Sequence, residues 1–167
     1  MTPEELAAIP PEMKTLDRWV GRRGKRPVAP WSGAGGAADI PAAVNKPGTW
    51  GTFEDALGFV ERGGEGVGFV FNGDGLAFLD LDGCLDENGQ LKPEAVAEVT
   101  VLIGGEVYVE VSPSGRGLHI FAPWGSGERP VRSRAERPWG HLELYFSGRY
   151  STVTGKGLPQ GEQAAPG

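Results

Sequence analysis

The chain has 167 residues, of which 39% are apolar and 23% charged, with a formal net charge of −6. That composition excludes a disordered chain and suits one domain with a real hydrophobic core. One cysteine, Cys84, excludes an internal disulfide, and one Cys with two His is too few for a tetrahedral structural zinc site. The 28 glycines predict many tight turns. No apolar run approaches a membrane span, and the N-terminus lacks the basic and apolar regions of a signal peptide, so a cytoplasmic protein is expected. The acidic balance weighs against a nucleic-acid partner. Two local basic stretches matter more for phosphate binding: Lys14, Arg18, Arg22, Arg23, Lys25 and Arg26, then Arg129, Arg132, Arg134 and Arg137. The rival reading of each stretch is a solvated turn between strands.

In chain order, Trp19-Val20 and Pro27-Val28 flank "GRRGKR" and predict a hairpin with a basic tip. Residues 32–51, rich in Gly, Ala and Pro, predict a loop. Thr52 is a candidate N-cap for a short amphipathic helix carrying Phe53, Ala56, Leu57 and Val60, with Gly63 as the stop. "GVGFVF" (66–71) and "LAFLDLD" (76–82), joined by "NGDG", predict a β-hairpin. A second helix is expected over Lys92–Ile103, with Val96, Val99, Leu102 and Ile103 as its apolar stripe. Four strands follow: 107–111 and 118–122 around "SPSGRG", then 141–146 and 149–154 around "SG". Residues 156–167 show no apolar period and predict a tail or linker. The order implies an α+β fold with a mixed, largely antiparallel sheet and an N-terminal αβ unit.

The chemistry concentrates at "AFLDLDGCLDENGQ". Asp80 and Asp82 lie two apart on a strand, so they share a face while Leu79 and Leu81 take the other. Their Cα atoms are roughly 6.5–7 Å apart, a spacing that can converge on two metal ions about 3.5–4 Å apart. Like charges in a partly buried site favour a cation between them; the alternative is a solvated strand end. Glu143 in "HLELYF" is likewise an acid in mid-strand, sharing a face with His141 and Tyr145, though a salt-bridged structural Glu is a fair rival. His119 faces away from Leu118 and Ile120 and follows a turn containing Ser112, Ser114, Gly115 and Arg116. Such a turn can cradle phosphate through backbone N–H groups and the guanidinium.

"FLDLDGCL" resembles the nucleophile motif of haloacid-dehalogenase-type phosphatases, but those continue into a parallel doubly wound sheet with a second acidic pair, which the remaining sequence lacks. An EF-hand loop fails in both frames, since Cys84 falls where an oxygen ligand is required. The ordered series "FLDLDGC", "EVSPSGRGLHIF" and "HLELYFSGRYSTVTG" resembles the archaeo-eukaryotic primase superfamily, in particular the primase–polymerase domains of phages, plasmids and integrated elements. "KRPVAP", "TWGTFEDAL" and "GVGFVF" are also similar to its N-terminal half, and the likeness runs from about Trp19 to Gly155.

The resemblance implies a primase–polymerase catalytic domain over residues 1–155 with an RRM-like core. It implies template-directed nucleotidyl transfer on single-stranded DNA with two Mg²⁺ or Mn²⁺ ions held by Asp80, Asp82 and Glu143. His119, Ser112, Ser114, Gly115, Arg116 and Arg149 would hold the incoming nucleoside triphosphate, and Lys25 or Arg26 would meet phosphate or template. The implied partners are template, primer and nucleotide, with a helicase in the intact protein; the isolated domain is expected to be a monomer. A non-catalytic nucleic-acid-binding module on the same fold is the alternative. One departure stands out: the family often has Ser two residues before the histidine, and this chain has Gly117, which raises the question whether Ser114 substitutes.

Overall fold

A computed structural model describes residues 1–124 and 132–158, which places Arg129 and residues 159–167 outside the described residues. Among the described residues the chain forms α1 (Pro3–Ala8), α2 (Pro11–Lys14), β1 (Trp19–Arg23), β2 (Arg26–Val28), α3 (Phe53–Glu61), β3 (Gly66–Asn72) and β4 (Leu76–Asp82). It continues with α4 (Val96–Leu102), β5 (Tyr108–Val111), β6 (Leu118–Pro123), β7 (Arg132–Arg137), β8 (Gly140–Tyr145) and β9 (Ser147–Val153). The strands make two sheets, β2-β1-β3-β9 and β5-β6-β4-β8-β7. Every strand pair is antiparallel, so the α+β expectation stands while the single mixed sheet is replaced by two antiparallel ones.

The first core lies where the sheets meet. Trp19, Val67, Phe69, Phe71 and Val153 of the four-stranded sheet pack with Phe78, Phe121 and Tyr145 of the five-stranded one, joined by Phe53 and Ala56 of α3 and by Ile9 and Met13 beside the N-terminal helices. The second core covers the opposite face of the larger sheet, where Leu79, Leu81, Leu118 and Ile120 meet Ala95 and Val99. The five-stranded sheet therefore has an apolar back and a front that is only part covered.

"NGDG" does not close a hairpin. β3 pairs with β1 and β9, and β4 with β6 and β8, so the turn carries the chain from one sheet to the other. Gly73 and Gly75 take φ of +87° and +85°, and Asn72 Oδ1 accepts the Asp74 N–H at 3.2 Å. The two strands are thereby stacked face to face, with the Phe71 and Phe78 rings 5.3 Å apart and nearly parallel. β3 is buried from Gly66 to Phe71, the mark of a strand covered on both faces. "SG" does not close a hairpin either: Ser147 and Gly148 open β9, and Phe146 alone separates it from β8, which lies in the other sheet.

The predicted helices form with small shifts. Thr52 caps α3 in a reciprocal capping box with Asp55. Pro93–Ala95 make a 3₁₀ turn ahead of α4, so Ala95 takes the core position and Val96, expected on the buried stripe, is 45% exposed. The second basic stretch is a strand rather than a turn: Arg132, Arg134 and Arg137 lie on β7, a charged edge that resists pairing with another chain. The expected tail begins later than residue 156. The Lys156 carbonyl accepts the Val111 N–H at 2.6 Å, and Leu158 packs against the second core.

Candidate active site

The antiparallel register lines up one residue from each strand of the larger sheet. Glu110 of β5 lies opposite His119 of β6, His119 opposite Asp80 of β4, Asp80 opposite Glu143 of β8, and Glu143 opposite Arg134 of β7. Direct cross-strand neighbours have Cβ atoms about 4.5–5.5 Å apart, so this is a continuous charged row on the front face. Two residues along the strands the row is aromatic: Tyr108, Phe121, Phe78 and Tyr145, ending on Arg132. Two residues the other way lie Asp82, His141 and Glu136. The alternation of each strand puts leucines on the back and these groups on the front.

The aromatic row is buried in the first core under the smaller sheet, and the charged row is the first one left open beside it. A cleft of about 670 Å³ opens there, lined by Asp80, His119, Ser114, Lys25, Arg149 and Arg22 among others. Of the four residues assigned to one site from sequence, Asp80 and His119 line this cleft, while Glu143 opposite Asp80 and Asp82 on the same strand adjoin it in the register without lining it. His119 is buried but turned to this face: its ring meets Phe78 edge-on at 5.2 Å and its Nδ1 lies 3.0 Å from Glu110 Oε1.

Burial and neighbouring charges act differently on the acids. Burial pushes the Asp80 carboxyl above the usual carboxylate range; His119 and Arg149 pull it down, and Asp82 and Glu143 push it up again. Glu143 is held below that range chiefly by the Tyr145 hydroxyl, which donates to it, and also by Arg134, His141 and Arg149. The Arg149 guanidinium lies over the Tyr145 ring, 4.7 Å from its centroid. Asp82 is at the mouth, its side chain 58% exposed, and His141 Nε2 stands 3.6 Å from it and 3.4 Å from Glu143 Oε1.

The serine turn differs from a backbone phosphate cradle. The Gly115 N–H donates to the Ser112 carbonyl and the Arg116 N–H to Ser114 Oγ, so both amides are satisfied within the turn. Ser114 faces the cleft and its hydroxyl is 3.0 Å from that of Ser112, whereas Arg116 is exposed and does not line the cleft. Gly117 has no room for a side chain: a Cβ there would come within 2.4 Å of the Leu81 carbonyl oxygen. Ser112 Oγ lies 3.3 Å from that same point. The Ser112–Ser114 pair therefore supplies hydroxyls beside the spot where the resemblance noted above leads one to expect a serine.

Residues absent from the sequence-based site include Glu110, Tyr145, Arg22 and Arg134. Glu110 carried the same signal as Glu143, a lone acid alternating with valines in "VYVEV". Among the described residues no group of three or more His, Cys, Asp or Glu side chains is placed to hold a metal ion by itself. The donor set still fits a divalent ion of the Mg²⁺ type, which binds through one or two carboxylates and completes its shell with water and substrate phosphate. The placement of Glu143 opposite Asp80, with Asp82 on the same face of β4, is the geometry that favours a cation there.

No protein-family model matches the chain. It is 37% identical over 158 residues to the DNA primase-polymerase of Nitratiruptor phage NrS-1, an alignment that covers 87% of this chain and 20% of that protein. The chain is thus a relative of a phage DNA primase-polymerase and spans about a fifth of its length.

Proposed function

We propose that residues 1–155 form the catalytic domain of a primase–polymerase, joining nucleotides on a single-stranded DNA template by two-metal phosphoryl transfer. The observation that carries this reading is the register that sets Asp80 between His119 and Glu143, with Asp82 one step along the same strand. The likeness to a phage DNA primase-polymerase over most of the chain supports it, and an RRM-like core is compatible with the antiparallel larger sheet.

Asp80, Asp82 and Glu143 would hold Mg²⁺ or Mn²⁺ as hard oxygen donors. Bound there, the ions would lower the charge of the triphosphate and activate the attacking hydroxyl. His119, Ser114, Arg149 and Lys25 line the same cleft and would grip the phosphates, with Ser112 and Gly115 shaping the turn behind them. Arg116, standing exposed beside that turn, would meet a phosphate only outside the cleft. The aromatic row forms a dry floor that holds the acids in a medium of lower dielectric than water, where each charge acts more strongly.

No helix among the described residues is long and apolar enough to cross a membrane. The proposed partners are template, primer and incoming nucleotide, with a helicase in a longer protein.

The test is incorporation of labelled nucleotide on a primed and an unprimed oligonucleotide, with deoxy- and ribonucleotides in parallel, for the wild type, Asp80→Asn, Asp82→Asn and Glu143→Gln. Template-dependent products from the wild type, lost in all three folded variants, are expected. Incorporation that persists in the Asp80→Asn variant refutes the reading, as does a wild type that binds DNA yet never incorporates.

A further inference from the structure

Among the described residues the most buried carboxyl group is outside the proposed ligand set. Glu110 is fully buried, and every group it meets is a donor. The Tyr108 hydroxyl donates to Oε2 at 2.8 Å and the Gly155 N–H to Oε2 at 2.9 Å. The Thr154 N–H is shared between both oxygens at 3.0 Å, and His119 Nδ1 stands 3.0 Å from Oε1. An ionised carboxylate only accepts hydrogen bonds, so the histidine must present N–H at Nδ1. Burial and the Glu110 charge raise the Tyr108 pKa, which keeps that hydroxyl a donor.

We infer that Glu110 is the positioning residue of the cleft: it holds His119 with Nδ1–H toward itself and the Nε2 edge toward the bound nucleotide, and ties the end of β9 to the larger sheet. This inference rests on the proposed nucleotide site. Two structural facts converge on it. His119 lines the cleft, and its Nδ1 edge is taken, so Nε2 is the ring nitrogen left to meet a phosphate. Thr154 and Gly155 follow directly on β9, whose Arg149 and Ser151 line the same cleft. One carboxylate thus sets the histidine and the position of the facing wall. Partners behind a ligating histidine are known to fix ring orientation in this way at metal sites.

The test uses the whole chain. Long-range ¹⁵N–¹H spectra of the wild type read the His119 ring nitrogens directly, and a protonated Nδ1 is expected. Affinity for dATP with Mg²⁺ is then measured by calorimetry for the wild type, Glu110→Gln, His119→Ala and the double variant. Glu110→Gln should weaken binding roughly tenfold or more in the wild-type background, the loss of a hydrogen bond to a charged group. In the His119→Ala background the further loss should be clearly smaller, limited to what Glu110 contributes through Thr154 and Gly155 to the β9 wall. Equal losses in both backgrounds, or a bare Nδ1 in the wild type, overturn the inference. Should Glu110→Gln fail to fold, the wild-type spectrum alone still decides. A wild type that does not bind dATP refutes the nucleotide site instead, and the ring spectra of the wild type and Glu110→Gln then judge Glu110 by themselves.

Discussion

Gly117 is the position where sequence comparison and packing pull hardest against each other. A serine there would restore the residue that the resemblance leads one to expect two places before the histidine. A Cβ at 117 would stand 2.4 Å from the Leu81 carbonyl oxygen and 3.4 Å from the Asp82 Cα. The closer contact is about 1 Å short of ordinary van der Waals distance, and the atom in the way is backbone between the two aspartates. No side chain can swing aside to relieve it, so β4 or β6 has to move. Overpacking of this kind costs typically 1–3 kcal/mol, and a fixed carbonyl places Gly117→Ala in the upper half, about 2–3 kcal/mol. For a chain of this size that is a Tm lowered by roughly 4–12 °C. Thermal unfolding followed by tryptophan fluorescence measures it, and incorporation assayed well below the new Tm reads the displaced acids. Gly117→Ser should lose both stability and activity. A serine variant that melts with the wild type, or outperforms it, would show that the strand has slack at Leu81 and that the Ser112–Ser114 pair is not the local replacement.

Asp80 and Glu143 should affect stability in opposite directions. Asp80 has a raised folded pKa, so the stability it contributes is full below the ordinary carboxylate range and lost as pH rises through the folded value. At neutral pH without divalent ions its charge is a net cost, and Asp80→Asn should raise Tm while abolishing incorporation. Glu143 is depressed, contributes above the ordinary range and loses that contribution as pH falls, so Glu143→Gln should lower Tm in the same buffer; matching shifts for the two variants would contradict the charge geometry. Thr52→Ala removes the capping box of α3 and should cost about 1 kcal/mol, a Tm drop of roughly 2–4 °C, with incorporation at low temperature unchanged. Cys84 is fully buried and its thiol pushed up to about 11, so a thiol reagent at pH 8 should label it only once urea unfolds the chain.

The features legible in the sequence were those set by one strand or one helix at a time. Period-two alternation placed Asp80, His119 and Glu143 each on the face away from its leucines, and the register then put all three in one row. Thr52 announced α3 because a cap is chemistry between residues three apart. What could not be read is which strands pair. "NGDG" has the composition of a hairpin turn, yet β3 and β4 each find two other partners, a choice made by apolar surfaces distant in sequence. β7 lacked an apolar period because it is an edge whose exposed residues are mostly charged. The short α1 and α2 are secured by Ile9 and Met13 reaching the first core, long-range contacts that a local reading does not register.

The site falls where it does because the smaller sheet covers the front of the larger one incompletely. Under the covered part every strand but the edge strand β7 presents an aromatic ring, and those rings share the first core with Phe69 and Phe71. One step of the pleat further on, the cover ends and the rings give way to Glu110, His119, Asp80, Glu143 and Arg134. The row grades from the fully buried Glu110, through Asp80 and His119 at the cleft, to Arg134, whose side chain is largely in water. Placed one pleat earlier, the acids would sit in the core unpaired, at a cost of several kcal/mol each; placed one pleat later, they would be solvated as Asp82 is. At the boundary burial pushes the Asp80 carboxyl up, with smaller contributions from Asp82 and Glu143. Cations with a triphosphate are the complement such a row lacks. The row's outer members already engage its inner neighbours before any substrate arrives, Glu110 meeting His119 at one end and Arg134 meeting Glu143 at the other.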